Sequence, residues 1–173
     1  MHSKLPTLIF RWLLIPFLAV MAAMSIVGAP LKSAAAPHGI VTLELCALTA
    51  DCAEILRTWT AAQREFAMLG LGLDFLYMVL YPAVIASALV LAVQGLAGRL
   101  QFAARVLAWL LALAGVADAV ENYCLIRMLS TGGLAEYAMP AAYCASAKFA
   151  IIALALLFLL VALALRLGKQ RKG

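Results

Sequence analysis

The run V106-LAWLLALAGVADAVENYCLIRM-L129 decides the fold, because it is a membrane segment with Asp118, Glu121 and Asn122 written into its middle. It has more than the ~20 predominantly apolar residues that a helix needs to cross a bilayer. Its three polar residues are spaced i, i+3, i+4, so they share one helical face. An ionised carboxylate in hydrocarbon costs several kcal/mol, so that face must turn toward protein rather than lipid. The run therefore predicts a helix packed against others, with a polar patch pointing inward.

The rest of the chain agrees. Of 173 residues, 67% are hydrophobic and 12% are charged, and mean hydropathy is +1.06. Soluble domains are nearer half apolar and a quarter charged. Spans are expected at about 8–29, 71–96, 102–129 and 137–165, each of sufficient length. No barrel-type alternation appears, and open sheets cannot satisfy their backbone in lipid. The expected fold is all-α, a four-helix transmembrane bundle forming a single domain over 1–173. Pro16 and Pro82 fall within spans and are expected to kink them. The formal net charge of +5 does not point to nucleic acid, because basic residues sit at segment ends without interleaved aromatics.

Charge asymmetry predicts the orientation. With the N-terminus in the cytoplasm, Lys4, Arg11, Arg99, Arg105, Arg166, Lys169, Arg171 and Lys172 gather on one side without an acid. Glu44, Asp51, Glu54, Glu65 and Glu136 fall outside, with Lys32, Arg57, Arg64 and Arg127. This is a positive-inside pattern with both termini cytoplasmic, suited to a bacterial inner membrane whose lipids are the expected partners. The segment from Lys4 to SAAAP (33–37) also has the pattern of a signal peptide with an A-x-A site near Ala36, but its apolar run is long for an h-region, which favours a retained anchor.

The outer loop, 30–70, carries HGIVTLELCAL (38–48), apolar with Glu44 inside it, and DCAEILRTWTAAQREFAML (51–69). The second stretch reads as one amphipathic helix. Asp51 and Glu54 make a capping-box pattern, and Ile55, Trp59, Ala62, Phe66 and Leu69 recur on one face.

Inside the bundle, Lys148 is the basic residue in the middle of the fourth span. Counted at about 1.5 Å per residue from the outer ends, Asp118 and Lys148 both lie roughly 15 Å deep, so Lys148 is expected to meet Asp118, Glu121 or both. Asp74 and Tyr77 lie toward the outer mouth, with Tyr81 a turn deeper. With two or three acids against one lysine, at least one acid must hold a proton or pair elsewhere. The expected site is thus Asp118, Glu121, Asn122, Lys148, Asp74 and Tyr77, binding a lipophilic molecule or handling a proton. A polar network that only fixes helix register is the competing reading. No metal is expected: His2 and His38 are outside the spans, and no catalytic or phosphate-binding motif appears, Gly132-Gly133 reading as a turn.

Cys46 and Cys52, spaced C-x5-C, lie in the outer loop, and Cys124 and Cys144 lie at similar depth near the outer ends of the last two spans. Disulfides Cys46–Cys52 and Cys124–Cys144 are geometrically possible, though connectivity is not deducible from sequence. Four helices and paired cysteines toward one face resemble the quinone-linked thiol oxidases and the vitamin K epoxide reductases in architecture. That resemblance would imply electron transfer from Cys46/Cys52 through Cys124/Cys144 to a quinone, but the C-x-x-C pair of those families is absent. No cofactor is expected outside that alternative.

A second resemblance covers more of the chain. HGIVTLELCAL, AEILRTW, LGLDFLYMVLYP (71–82), DAVEN (118–122) and AKFAI (147–151) resemble segments of a group of uncharacterised four-helix bacterial inner-membrane proteins, in the order GIV-x-x-E-L, L-D-F-L, D-x-x-E-N. It implies Glu44, Asp74, Asp118, Glu121, Asn122 and Lys148 as shared positions, and it implies no activity. A third possibility is an accessory subunit of a larger membrane complex.

Overall fold

In the computed structural model, residues 5–132 and 134–170 are described. Lys4, Arg171, Lys172, His2 and Gly133, named above, lie outside the described residues. All the regular structure of the described chain is helical: α1 (Leu5–Gly28), a 3-10 turn η1 (Ala29–Leu31), three short helices α2 (Ile40–Glu44), α3 (Cys46–Thr49) and α4 (Cys52–Thr58), then α5 (Ala61–Ala92), α6 (Gly98–Thr131) and α7 (Leu134–Gln170). Among the described residues, four helices are long and apolar enough to cross a membrane. The fold is a four-helix transmembrane bundle, and the three later helices extend beyond the predicted spans at one or both ends.

α5, α6 and α7 pack on one another, while α1 leans chiefly on α5. Buried apolar residues form two separate clusters. One includes Leu71, Leu125 and Met128 and receives Leu31, Leu43, Ile55 and Trp59 from the connector between α1 and α5. The other, including Leu89, Leu107, Leu111, Ala155 and Ala162, fills the opposite end. By sequence position on α5, α6 and α7, the polar residues Asp74, Asp118, Glu121, Asn122 and Lys148 fall between these two clusters. Basic side chains fasten the second end: Arg166 donates to the carbonyl of Leu91 (2.6 Å) and Lys169 to that of Gly95 (2.7 Å), the last carbonyls of α5 and its exit turn.

The α5–α6 crossing depends on one glycine. Pro82 sits inside α5 and has no N–H, so the carbonyl of Met78 loses its helical donor. Gly115 passes that carbonyl so closely that a Cβ there would lie 2.8 Å from the Met78 oxygen.

The single amphipathic helix expected over 51–69 is not what forms. Asp51 caps α4, its Oδ1 accepting from the amides of Ala53 (2.9 Å) and Glu54 (3.1 Å). Glu54 does not complete a capping box; its carboxylate takes Arg57 instead (2.8 Å). The helix then stops at Trp59, and Thr60 starts a new one through a true capping box with Gln63. The break resets the helical phase. Ile55 and Trp59 are buried, whereas Phe66 and Leu69 of the supposed common face are exposed on the first turns of α5. The two caps, each strong enough to begin a helix, divide the segment between the connector and a longer membrane helix.

Candidate functional site

The connector is what completes the site. Gly39 adopts φ 62°, a left-handed turn that a side chain would strain and that brings the chain against Leu31. α2 starts there and carries Glu44, only 7% exposed, into the bundle mouth. The indole of Trp59 donates to the carbonyl of Leu31 (3.2 Å), and the Gln63 amide to that of Pro30 (2.8 Å), tying both ends of the connector together. A disulfide between Cys46 and Cys52 closes the segment just after Glu44.

Lys148 of α7 is the hub. Its Nζ lies 2.9 Å from Asp118 Oδ1, 3.0 Å and 2.9 Å from the two oxygens of Glu121, and 3.8 Å from Glu44 Oε2. The i, i+3 spacing on α6 lets one ammonium reach both α6 carboxylates. A turn nearer the connector, Asn122 donates to Asp74 Oδ2 at 2.8 Å, joining α6 to α5. All six side chains are at least nine-tenths buried. Burial pushes the Glu44 carboxyl above the ordinary carboxylate range, opposed by Lys148 and reinforced by Asp118.

The polar valences of the cluster are not filled. Glu44 Oε2, Asn122 Oδ1 and the Tyr81 hydroxyl are buried without a hydrogen-bond partner among the described residues. Tyr77 makes no hydrogen bond to the cluster among the described residues; it stacks on Phe17 of α1 (ring centroids 5.5 Å) and tilts against Tyr81 (5.4 Å). Glu44, an acid in an apolar stretch that the resemblance groups with the bundle residues, belongs to the cluster, and Tyr81, the next tyrosine on the Asp74 face, borders it beside Asp118.

The cysteines divide into two kinds. Cys46–Cys52 is a disulfide, whereas Cys124 and Cys144 are free thiols, so the second possible bridge does not form. The two free thiols sit on separate, continuous membrane helices whose spacing is fixed by packing along their length; a bridge needs one specific Cβ–Cβ geometry that equal depth alone does not supply. No group of three or more potential ligands able to hold a metal ion occurs among the described residues.

Two cavities bear on what the site accommodates. One of about 40 Å³ is lined by Glu44 and Asp74 together with residues of α1, η1, α2 and α5. Another of about 500 Å³ is a groove between α5 and α6 along Pro82 and Gly115, lined by no ionisable side chain. Comparison with protein-family models, with curated proteins and with solved structures gives no match to this chain.

Proposed function

We propose that this is a multi-pass membrane protein whose buried carboxylate–lysine cluster takes up and releases a proton. The observation that carries the reading is the charge imbalance. Glu44, Asp118 and Glu121 surround the single ammonium of Lys148, Asp74 is held beside them by Asn122, and every one of these side chains is at least nine-tenths buried. Fully ionised, the cluster holds a surplus of three negative charges in a low-dielectric layer, where each unpaired charge costs several kcal/mol. Bound protons are the smallest way to remove that surplus. The space beside the acids favours a proton over a larger ligand. About 40 Å³ is far below the few hundred Å³ of a small-molecule pocket. The larger groove presents no charge to read a polar group.

In this reading the protein sits in a bacterial inner membrane with both ends of the chain cytoplasmic. The connector, with Glu44 over Lys148, then faces the outside, and the basic residues Arg99, Arg105, Arg166 and Lys169 meet anionic headgroups inside. Thiol chemistry is less well supported. Cys46 is 1% exposed in the loop-end apolar cluster and Cys52 is partly buried against it, so an attacking thiolate reaches the disulfide only from the Cys52 side.

Infrared spectroscopy of the reconstituted protein tests the reading. A protonated carboxyl band should persist near neutral pH, titrate reversibly, and lose intensity in Glu121→Gln. Absence of any titrating carboxyl band in the folded parent protein defeats it.

A further inference from the structure

Glu44 and Asp74 share a second environment besides the Lys148 cluster. Both line the small cavity bounded by Met24, Gly28, Leu31 and Gly70. Its volume of about 40 Å³ exceeds the ~10–15 Å³ that one water needs. Seven of its nine lining residues are apolar, and the other two, Glu44 and Asp74, supply the two polar partners that a buried water needs at minimum.

Glu44 is placed to connect that water to the cluster. Its side chain borders the cavity, and its Oε2 is also 3.8 Å from Lys148 Nζ. Asp74 makes the parallel link, since it borders the cavity and accepts from Asn122 of α6. We infer that this cavity is the aqueous port of the cluster, and that Glu44 is the carboxylate through which protons enter and leave on the connector side. The step is a proton transfer: an O–H bond of a hydronium in the cavity breaks, an O–H bond forms on the Glu44 carboxylate, and a neutral water stays behind. Lys148 keeps its ammonium throughout, and nothing is oxidised or reduced.

The inference rests on the proton-handling reading, and the test separates the two. The cavity has two glycine walls on different helices. A Cβ at Gly28 meets nothing within 4 Å, and one at Gly70 meets only Val27 Cγ1 at 3.7 Å, so a larger side chain at either wall position is accommodated without a backbone clash. Gly28→Leu and Gly70→Leu, each reconstituted in phosphatidylethanolamine–phosphatidylglycerol vesicles, are mixed rapidly with D2O while the carboxyl band is followed. The band should keep the parent's titration midpoint while its proton–deuteron exchange slows about tenfold or more, equivalent to a barrier rise of about 1.4 kcal/mol. Glu44→Gln should slow exchange in the same way without plugging the cavity, and its result stands if a leucine variant fails to fold. Parent-rate exchange in Glu44→Gln, or in a folded leucine variant with the parent's midpoint, overturns the port and leaves the cluster as a proton site. A parent protein without a titrating band overturns both.

Discussion

Lys148→Met is the most informative single perturbation of this fold. The methionine keeps the length and apolar stem of the lysine and removes its charge. Lost with it are contacts at 2.9 Å to Asp118, at 2.9 and 3.0 Å to Glu121, and at 3.8 Å to Glu44. Removing one partner of a buried ion pair costs about 3–5 kcal/mol, because the opposite charge stays behind uncompensated. Polar contacts between membrane helices average less, about 0.6 kcal/mol, because helices separated in lipid find other partners. Here one ammonium serves carboxylates from α6 and from the connector, so the upper range applies: a loss of about 3 kcal/mol or more at neutral pH. Reversible unfolding in mixed detergent–SDS micelles measures it. Acid should shrink the loss, since protons then neutralise the carboxylates that the ammonium no longer pairs. Adding Asp118→Asn and Glu121→Gln should recover most of it. If Lys148→Met stays within about 0.5 kcal/mol of the parent, as an ordinary surface change would, the lysine is not the hub of the cluster. A loss that is the same in acid and at neutral pH would point to packing rather than charge.

Three further outcomes are expected. Gly115→Ala sets a Cβ at 2.8 Å from the Met78 oxygen and should cost about 1–3 kcal/mol in the same unfolding assay, whereas Gly72→Ala, with nothing within 4 Å, should not. Alkylation followed by mass measurement should count two free thiols and one disulfide; replacing Cys46 and Cys52 with serine together should cost about 2 kcal/mol, the closure entropy of so short a loop. Glu44 carries a carboxyl whose folded value is raised by burial, so its contribution to connector docking is complete in acid and fades as pH rises through that value. Trp59 emission, read with Trp12 and Trp109 changed to Phe, should therefore shift to the red as pH rises, and Glu44→Gln should remove the dependence.

The spans are legible because apolar length is a one-dimensional signal, and the Lys148 contacts to Asp118 and Glu121 follow from depth, since antiparallel helices of equal rise bring equal depths together; the contact to Glu44, on the connector, does not. What depth cannot supply is azimuth. Tyr77 and Asp74 are three residues apart, yet Tyr77 turns to Phe17 of α1 while Asp74 turns to Asn122 of α6. The Ile55–Leu69 periodicity misled for a related reason. A helical repeat predicts one face only while the helix is unbroken, and the Thr60–Gln63 box interrupts it. The Gly115–Met78 approach left no trace in composition, because a glycine in an apolar run reads as flexibility until a partner backbone is known.

A network that served only to fix helix register would need less than this one has. One lysine against one or two carboxylates is enough to set the register of α6 against α7, and the Asp74–Asn122 bond does the same for α5 against α6. A further acid near the ammonium adds repulsion and desolvation without adding specificity. Yet a left-handed Gly39, a buried α2 and a disulfide two residues later combine to hold Glu44 there. That carboxylate is the member of the cluster carried by the connector rather than by a spanning helix, and it also borders the small cavity. The register reading leaves its placement without a purpose. A site that loads and unloads protons needs a group of this kind, neutral or charged within reach of both the ammonium and a polar port. The two readings part over Glu44→Gln. The register reading expects higher stability and nothing else, since a surplus charge is gone. The proton reading expects the carboxyl titration to change and exchange to slow in a protein that stays folded.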